Sequence, residues 1–85
     1  GRMEKQMEQD KPNYYKIHTF EAFPDGKSSS YFEGQESGYT ATEAIYKWWL
    51  RYQNKIEDAV IHYGGRITYR QGDTHCITTV QLTTN

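Results

Sequence analysis

The longest patterned run of hydrophobic residues lies in the middle of the chain. Its members recur at spacings of three and four, the period of one helix face; they are Ala41, Ala44, Ile45, Trp48, Tyr52, Ile56, Ala59, Val60 and Tyr63. Thr40 and Glu43 have the spacing of a capping box, in which each side chain accepts a hydrogen bond from the other residue's amide. Gly64 and Gly65 follow the last periodic residue, where glycine commonly ends a helix. The pattern predicts one long helix over about 41–62.

A first hairpin is predicted before this helix. Residues 14–23 are rich in aromatic and β-branched side chains and contain no breaker, which is typical of a strand. Residues 24–26 read Pro-Asp-Gly, a strong turn signal in which glycine takes the left-handed position. Residues 27–33 then form the returning strand, followed by a polar loop.

The turn fixes the register of this hairpin. It places Phe20 opposite Ser30 and His18 opposite Phe32. Both faces of the first strand carry apolar groups, so alternation does not single out one of them. The face we expect to point toward the core holds Tyr14, Phe20, Ala22 and Phe32.

A second hairpin is predicted after the helix. Strands over 66–71 and 74–84 are joined by Gly72 and Asp73, which suit a two-residue turn with glycine first. This turn pairs Tyr69 with Cys76 and Ile67 with Thr78. The inward face then consists of Ile67, Tyr69, Cys76, Val80 and Leu82, and the outward face of Arg66, Thr68, Arg70, His75, Ile77 and Thr79. Ile77 is the one apolar misfit on the outward face.

The order hairpin, helix, hairpin predicts an α+β fold. We expect a small ββαββ domain over 13–85, a mostly antiparallel four-stranded sheet with one long helix packed on one face. Such a sheet leaves its second face open, to be solvated, bound by a partner or buried in a homodimer. Residues 1–12 are mostly charged or amide-bearing and predict a disordered or frayed segment. Gly1 and Arg2 before Met3 are typical of a tag scar.

Composition narrows the class of protein. The 85 residues suffice for one small domain, and ten Lys and Arg against eleven Asp and Glu give a net charge of −1. A global field that would draw the chain to a nucleic acid or a membrane is therefore excluded. No apolar run approaches the ~20 residues of a membrane span, and no signal peptide is evident. Cys76 is the only cysteine, which predicts a reduced, cytoplasmic protein.

Candidate chemistry is sparse. The soft metal ligands His18, His62, His75 and Cys76 show no known metal-site spacing. The serines of residues 28–30 lie near a turn with Asp25 nearby and His18 toward the far end of the hairpin, which favours a polar loop edge over a nucleophile with its base. We therefore expect a non-catalytic protein without cofactor or metal.

The aromatic content suggests a binding role instead. Thirteen aromatic residues include the adjacent Trp48 and Trp49, which point about 100° apart on a helix and cannot share one buried face. Trp49 is then expected at the helix rim, where Tyr46 and Tyr52 would join it in an exposed protein-binding surface. The favoured reading is a protein-binding module, possibly a regulator or inhibitor, acting through this rim or through the open sheet face.

Nucleic-acid binding is the alternative. Arg66, Arg70 and His75 fall on the outward face of the second hairpin, with threonines between them. Basic side chains beside aromatic ones suit a single-stranded nucleic acid.

One stretch resembles a known family. A strand-rich segment leading into Thr40, Glu43, Ala44 and Ile45 is similar to the helix start in the antitoxin partner of HicA–HicB toxin–antitoxin pairs. The resemblance implies a partial ferredoxin-like architecture. It carries no functional residue over to this chain.

Overall fold

Five strands and one α-helix make up the part of the chain that the computed structural model describes, residues 11–83. The elements are β1 (Asn13–Ala22), β2 (Ser28–Gly38), α1 (Ala41–Tyr52), a 3-10 turn (Gln53–Lys55), β3 (Glu57–His62), β4 (Arg66–Gln71) and β5 (Thr74–Leu82). The strands form one antiparallel sheet in the order β2-β1-β5-β4-β3. The α+β class is thus as expected. The segment predicted to be disordered lies almost entirely outside the described residues.

The predicted four-stranded sheet and the helix over 41–62 are wrong, because the second half of that run forms β3. The helix stops at Tyr52, and the chain turns into an edge strand that pairs with β4. In β3, Ala59 and Ile61 are half-buried and pack against the core, while Val60 is exposed. These residues fit both the helical period and the alternating period of a strand. They form a strand because their β-branched side chains favour a sheet and because β4 would otherwise lack a partner on this side. Asp58 has a φ of 54°, where the register shifts between Glu57 and Val60.

Gly64 and Gly65 are therefore a hairpin turn between β3 and β4, with φ angles of 95° and 88°. Gly65 is also buried against the helix start. A Cβ there would lie 2.6 Å from Val80 Cγ2 and 2.7 Å from Ala41 Cβ, and the Gly65 carbonyl accepts a hydrogen bond from the Val80 amide at 3.1 Å. Close approach, in addition to positive φ, makes glycine the residue that fits here.

The helix start follows the predicted capping chemistry with a shift of one residue. Thr40 Oγ1 accepts from the Glu43 amide at 3.1 Å. The Glu43 carboxylate accepts from the Tyr39 amide at 2.9 Å, one residue before the amide of the predicted box. The helix buries Ala44, Ile45 and Trp48 against the sheet.

The first hairpin has the predicted register but the opposite core face. Phe20 is paired with Ser30 and His18 with Phe32, as expected. The side chains buried toward the helix are instead those of Tyr15, Ile17 and Thr19. The face predicted to be core, with Tyr14, Phe20, Ala22 and Phe32, lies on the open side of the sheet. Because strand side chains alternate, a wrong choice of face moves every residue to the other side.

A β-bulge on β2 sets which acidic residues face the helix. Glu33 and Gly34 together lie opposite Ile17, and Gly34 takes a φ of 110°. The extra residue brings Glu33 and Glu36 to the same face although they are three residues apart. Glu36 is buried there and pairs with Arg51 at 3.2 Å.

The second hairpin agrees with prediction in turn and register, with Tyr69 opposite Cys76 and Ile67 opposite Thr78. Of its predicted inward face, Val80 is half-buried and Leu82 is exposed. The central core between helix and sheet consists of Ile17, Ile45, Trp48, Ile67, Tyr69 and Cys76.

The adjacent glycines offer a matched pair of variants. We expect Gly64→Ala to lower the free energy of unfolding by about 1 kcal/mol, because alanine is strained at positive φ but meets no atom there. Gly65→Ala carries the same strain plus the overlap with Val80 and Ala41, and should cost roughly 1–3 kcal/mol more. Urea denaturation of both variants measures the difference. Equal destabilisation would contradict the close packing of Gly65.

Candidate functional site

The face of the sheet opposite the helix is left uncovered by the described elements. Strand alternation and the observed pairing place one row across all five strands: Ser30, Phe20, Ile77, Thr68 and Val60. The neighbouring row is Phe32, His18, Thr79, Arg66 and His62. Among described residues, no helix packs on this side.

Apolar side chains on this face are large and solvent-exposed. The exposed fractions are 59% for Phe32, 53% for Val60, 40% for Phe20 and 38% for Ile77. Phe32 contacts the His18 ring at a centroid distance of 4.9 Å, and Lys16 Nζ lies 5.8 Å from the Phe32 centroid. A contiguous band of this kind is a common mark of an interaction surface. Ile77 is thus part of a band and not an isolated misfit.

The open face also collects the basic side chains of the sheet. All three histidines of the sequence, His18, His62 and His75, occupy this side, together with Lys16, Arg66 and Arg70. The acidic strand residues Glu21, Glu33 and Glu36 have the opposite parity and lie on the helix side. The two faces of the sheet therefore differ in charge although the chain is nearly neutral.

Arg70 is held by carboxylates at one corner of the open face. Its Nη2 lies 2.9 Å from Asp58 Oδ2 and 3.2 Å from Glu57 Oε2, and its Nη1 donates to the Gly72 carbonyl. The hydrogen bond to Asp58, followed by the charge of Glu57, raises the pKa of Arg70 further. The positive charge of Arg70 is already compensated by these two carboxylates, so Arg70 would attract a phosphate only weakly.

The predicted basic trio is therefore only partly assembled. Arg70 and His75 are cross-strand neighbours, whereas Arg66 lies four residues away on β4, opposite Thr79 and His62. No ion pair involves Arg66 within residues 11–83. Its exposed guanidinium is the more available cation of the two arginines.

The predicted aromatic rim is divided between two surfaces. Tyr46 and Trp49 contact each other at a ring distance of 5.8 Å and line a shallow groove with Gln53 and β3. Tyr46 is exposed and Trp49 half-buried. Tyr52 points elsewhere and packs on Trp48 at a ring distance of 5.0 Å.

A chain of hydrogen bonds runs through the core beneath Trp48. The Tyr69 hydroxyl lies 2.7 Å from Thr78 Oγ1, which lies 2.7 Å from Thr19 Oγ1. Thr19 donates to Glu33 Oε2 at 3.2 Å, and the Trp48 indole donates to Glu33 Oε1 at 2.8 Å. Since a carboxylate only accepts, Thr19 must accept from Thr78, and Thr78 from Tyr69. Every donor in the chain thus points toward Glu33.

A cavity of about 180 Å³ opens where this chain reaches the surface. It lies at the helix end, between the 3-10 turn and the sheet. Its walls are Tyr31, Glu33, Trp48, Tyr52, Lys55, Ile56, Tyr69 and Gln71. Trp48 contacts the rings of both Tyr52 and Tyr69, the latter at 5.4 Å. Four aromatic rings and one carboxylate therefore border a single concave site.

The sequence reasoning missed this site for a specific reason. Glu33 was assigned to the end of a returning strand, Thr19 to the outward face and Trp48 to a helix twice as long. Regular alternation puts Glu33 on the same face as Thr19, so the wrong choice of core face hid its position under Trp48.

Other kinds of site are not assembled in residues 11–83. No three His, Cys, Asp or Glu side chains in this part of the chain come close enough to hold a metal ion. Cys76 is buried, and burial raises the pKa of its thiol, with a further contribution from the charge of Glu21. No helix in the same range has the length and apolar character needed to cross a bilayer.

Comparison of the chain with known protein families, with characterised proteins and with solved structures finds no match. The resemblance to the antitoxin family thus gains no support from a family match. The strand order described above and the surfaces on the sheet are the basis for any functional inference.

The buried phenol of Tyr69 predicts a loss of stability in alkali. Burial raises its pKa to about 12 from an ordinary value of 10. The unfolded chain then releases this proton from about pH 10, whereas the fold retains it to about pH 12. The stabilisation is complete below pH 10, and roughly 3 kcal/mol should be lost between pH 10 and 12.

Tyr69→Phe removes this titration, so its stability should fall less steeply over the same pH range. Urea denaturation at several alkaline pH values measures the slope. Tyr63→Phe, at a side chain open to solvent, is the matched control and should keep the wild-type slope. A wild-type slope in Tyr69→Phe would refute the assignment.

Proposed function

We propose that the protein is a small non-catalytic binding module whose open sheet face receives a protein partner. The free cysteine favours a reducing compartment, the cytoplasm. A regulator or inhibitor that acts by occupying its partner fits a domain of this size. The observation that carries the proposal is the exposed band formed by Phe20, Phe32, Ile77 and Val60.

The side chains on this face indicate which kind of partner surface would fit it. The centre of the face is apolar, and the surrounding side chains include Lys16, Arg66 and three histidines. Apolar centres with a polar rim are the usual anatomy of protein interfaces, and opposite charge on the two sides increases the association rate. The partner surface we expect is apolar in the middle and acidic at its border.

The proposal predicts that open-face changes abolish partner capture. Phe32→Ser, Val60→Thr and Ile77→Thr combined remove three exposed apolar groups while keeping residues that strands tolerate. Partners retained by the wild-type protein from native lysate are identified by mass spectrometry and compared with those retained by the triple variant. The interface partner should be reduced at least tenfold, because each buried apolar side chain contributes about 1.5–3 kcal/mol.

Tyr46→Ala with Trp49→Ala is the control, because it alters the groove on the other side of the molecule. If partner capture survives in the triple variant but is lost in the Tyr46→Ala, Trp49→Ala variant, the interface lies at the helix rim instead. Circular dichroism of both variants verifies that the fold is retained.

Single-stranded nucleic acid is the second candidate, favoured by one specific arrangement. The Phe32 ring lies between Lys16 and His18, and Phe20 occupies the adjacent row. Aromatic rings on a sheet surface with basic neighbours are a recurrent platform for stacked bases.

This candidate makes a distinct prediction about the two arginines. Fluorescence anisotropy with a labelled oligonucleotide at about 50 mM salt should detect binding. Arg66→Gln should weaken it severalfold, whereas Arg70→Gln should change it little, because Asp58 and Glu57 already compensate Arg70. Absence of binding, or an equal loss in both variants, would exclude nucleic acid as the partner in this form.

A homodimer through the same face is also part of the proposal, because a second copy would cover the apolar band. Sedimentation velocity at increasing concentration tests it. A wild-type dimer that dissociates in the triple open-face variant supports self-association. A wild-type monomer at all concentrations indicates that the face binds a different protein.

A further inference from the structure

The cavity at the helix end has the chemistry of a cation site. It exists because α1 ends at Tyr52 while the underlying strands continue, so the core is left open at this end. The aromatic walls include Trp48 and Tyr69, which are almost completely buried. The Trp48 ring contacts those of both Tyr69 and Tyr52, which holds the walls in place without a ligand.

Glu33 gives the cavity its negative charge. Both carboxylate oxygens accept hydrogen bonds from neutral donors, the Trp48 indole and the Thr19 hydroxyl. No Lys, Arg or His lies within ion-pair distance of Glu33 among residues 11–83. The carboxylate is therefore oriented by the fold and is not neutralised by it.

A second carboxylate acts in the same direction. Burial, followed by the charges of Glu21 and Glu33, raises the pKa of Tyr31 on the cavity wall. Aromatic faces also carry partial negative charge. A cation with an apolar surface would interact favourably with both kinds of wall, whereas a neutral ligand of the same shape would gain only the apolar contact.

The size of the cavity limits the ligand. At ~30 Å³ for each water in the liquid, 180 Å³ corresponds to roughly six waters. A compact group of four or five heavy atoms, such as a trimethylammonium group, fits this volume. Lys55, also on the wall, provides the only positive charge there and would oppose such a ligand.

We propose that this cavity binds a quaternary or methylated ammonium group through Trp48, Tyr52, Tyr69 and the carboxylate of Glu33. Tyr31 completes the wall on the β2 side. The same chemistry is offered by a small molecule such as choline and by a trimethylated lysine side chain. The site lies on the helix side of the sheet, so it is independent of the interface proposed above.

The test follows the two indole N–H signals by NMR during titration with choline at constant ionic strength. Only Trp48 lines the cavity, so its indole signal should shift saturably while that of Trp49 should not. We expect a dissociation constant on the order of millimolar from a few cation–π contacts. The uncharged isostere 3,3-dimethylbutan-1-ol should bind at least tenfold more weakly.

Variants separate charge from shape. Glu33→Gln retains an acceptor for the Trp48 indole but removes the charge, and should weaken choline about tenfold. Lys55→Met should strengthen it. Tyr46→Leu, in the neighbouring groove, is the matched control and should leave affinity unchanged.

Titration with a trimethyllysine peptide identifies the source of the group. Tighter binding than choline points to a modified protein, and weaker binding to a small molecule. The proposal is overturned if no signal saturates up to about 50 mM choline, if the neutral isostere binds equally well, or if Glu33→Gln binds choline as tightly as wild type while folded. The isostere comparison needs no variant, so a folding defect cannot decide the result.

Discussion

The rest of the structure depends on the polarised hydrogen-bond chain that ends at Glu33. Tyr69 comes from β4, Thr78 from β5, Thr19 from β1, Glu33 from β2 and Trp48 from the helix. This chain of hydrogen bonds thus joins five of the elements across a thin core. Described side chains leave no buried polar atom without a partner, and a complete network is what makes buried hydroxyls tolerable at low dielectric. Removing Glu33 would leave the Trp48 indole and the Thr19 hydroxyl without their acceptor.

This chain also accounts for the different character of the two sheet faces. Glu33 faces the helix by regular alternation from Phe32, and the bulge at Gly34 turns Glu36 to the same side. The cations Lys16 and Arg66 and the exposed rings are left for the opposite face. The molecule therefore presents two different surfaces, a concave site with a carboxylate among aromatic rings and an open face with apolar and basic side chains. They are suited to different ligands.

Features of the fold that depend on residues close together in the chain could be predicted from the sequence, and features that depend on distant residues could not. Turn chemistry is local, and both hairpin registers followed from Pro24–Gly26 and from Gly72 with Asp73. The end of the helix, in contrast, is not determined by neighbouring residues. Residues 56–63 fit helical and alternating patterns equally well, and the free edge of β4 decided between them.

The candidate cavity was beyond sequence reasoning for a related reason. Its walls come from segments far apart in the chain, and Glu33 faces it only because the helix packs on the Ile17 and Thr19 side of β1. Choosing between the two apolar faces of β1 required knowing where the helix packs. The open-face arginines were placed correctly, but the ion pairs that occupy Arg70 come from the strand that was mistaken for helix.

The position of β1 has a consequence for how the protein is made. This first strand lies inside the sheet, between β2 and the last strand, β5, and the Thr83 amide donates to the Tyr14 carbonyl at 2.9 Å. The Thr19 hydroxyl gains its second partner, Thr78, from a residue 59 positions later in the chain. On a ribosome the core cannot close until nearly the whole described chain has emerged. Such long-range closure slows folding, so the core side chains of β1, Tyr15, Ile17 and Thr19, stay uncovered for most of synthesis.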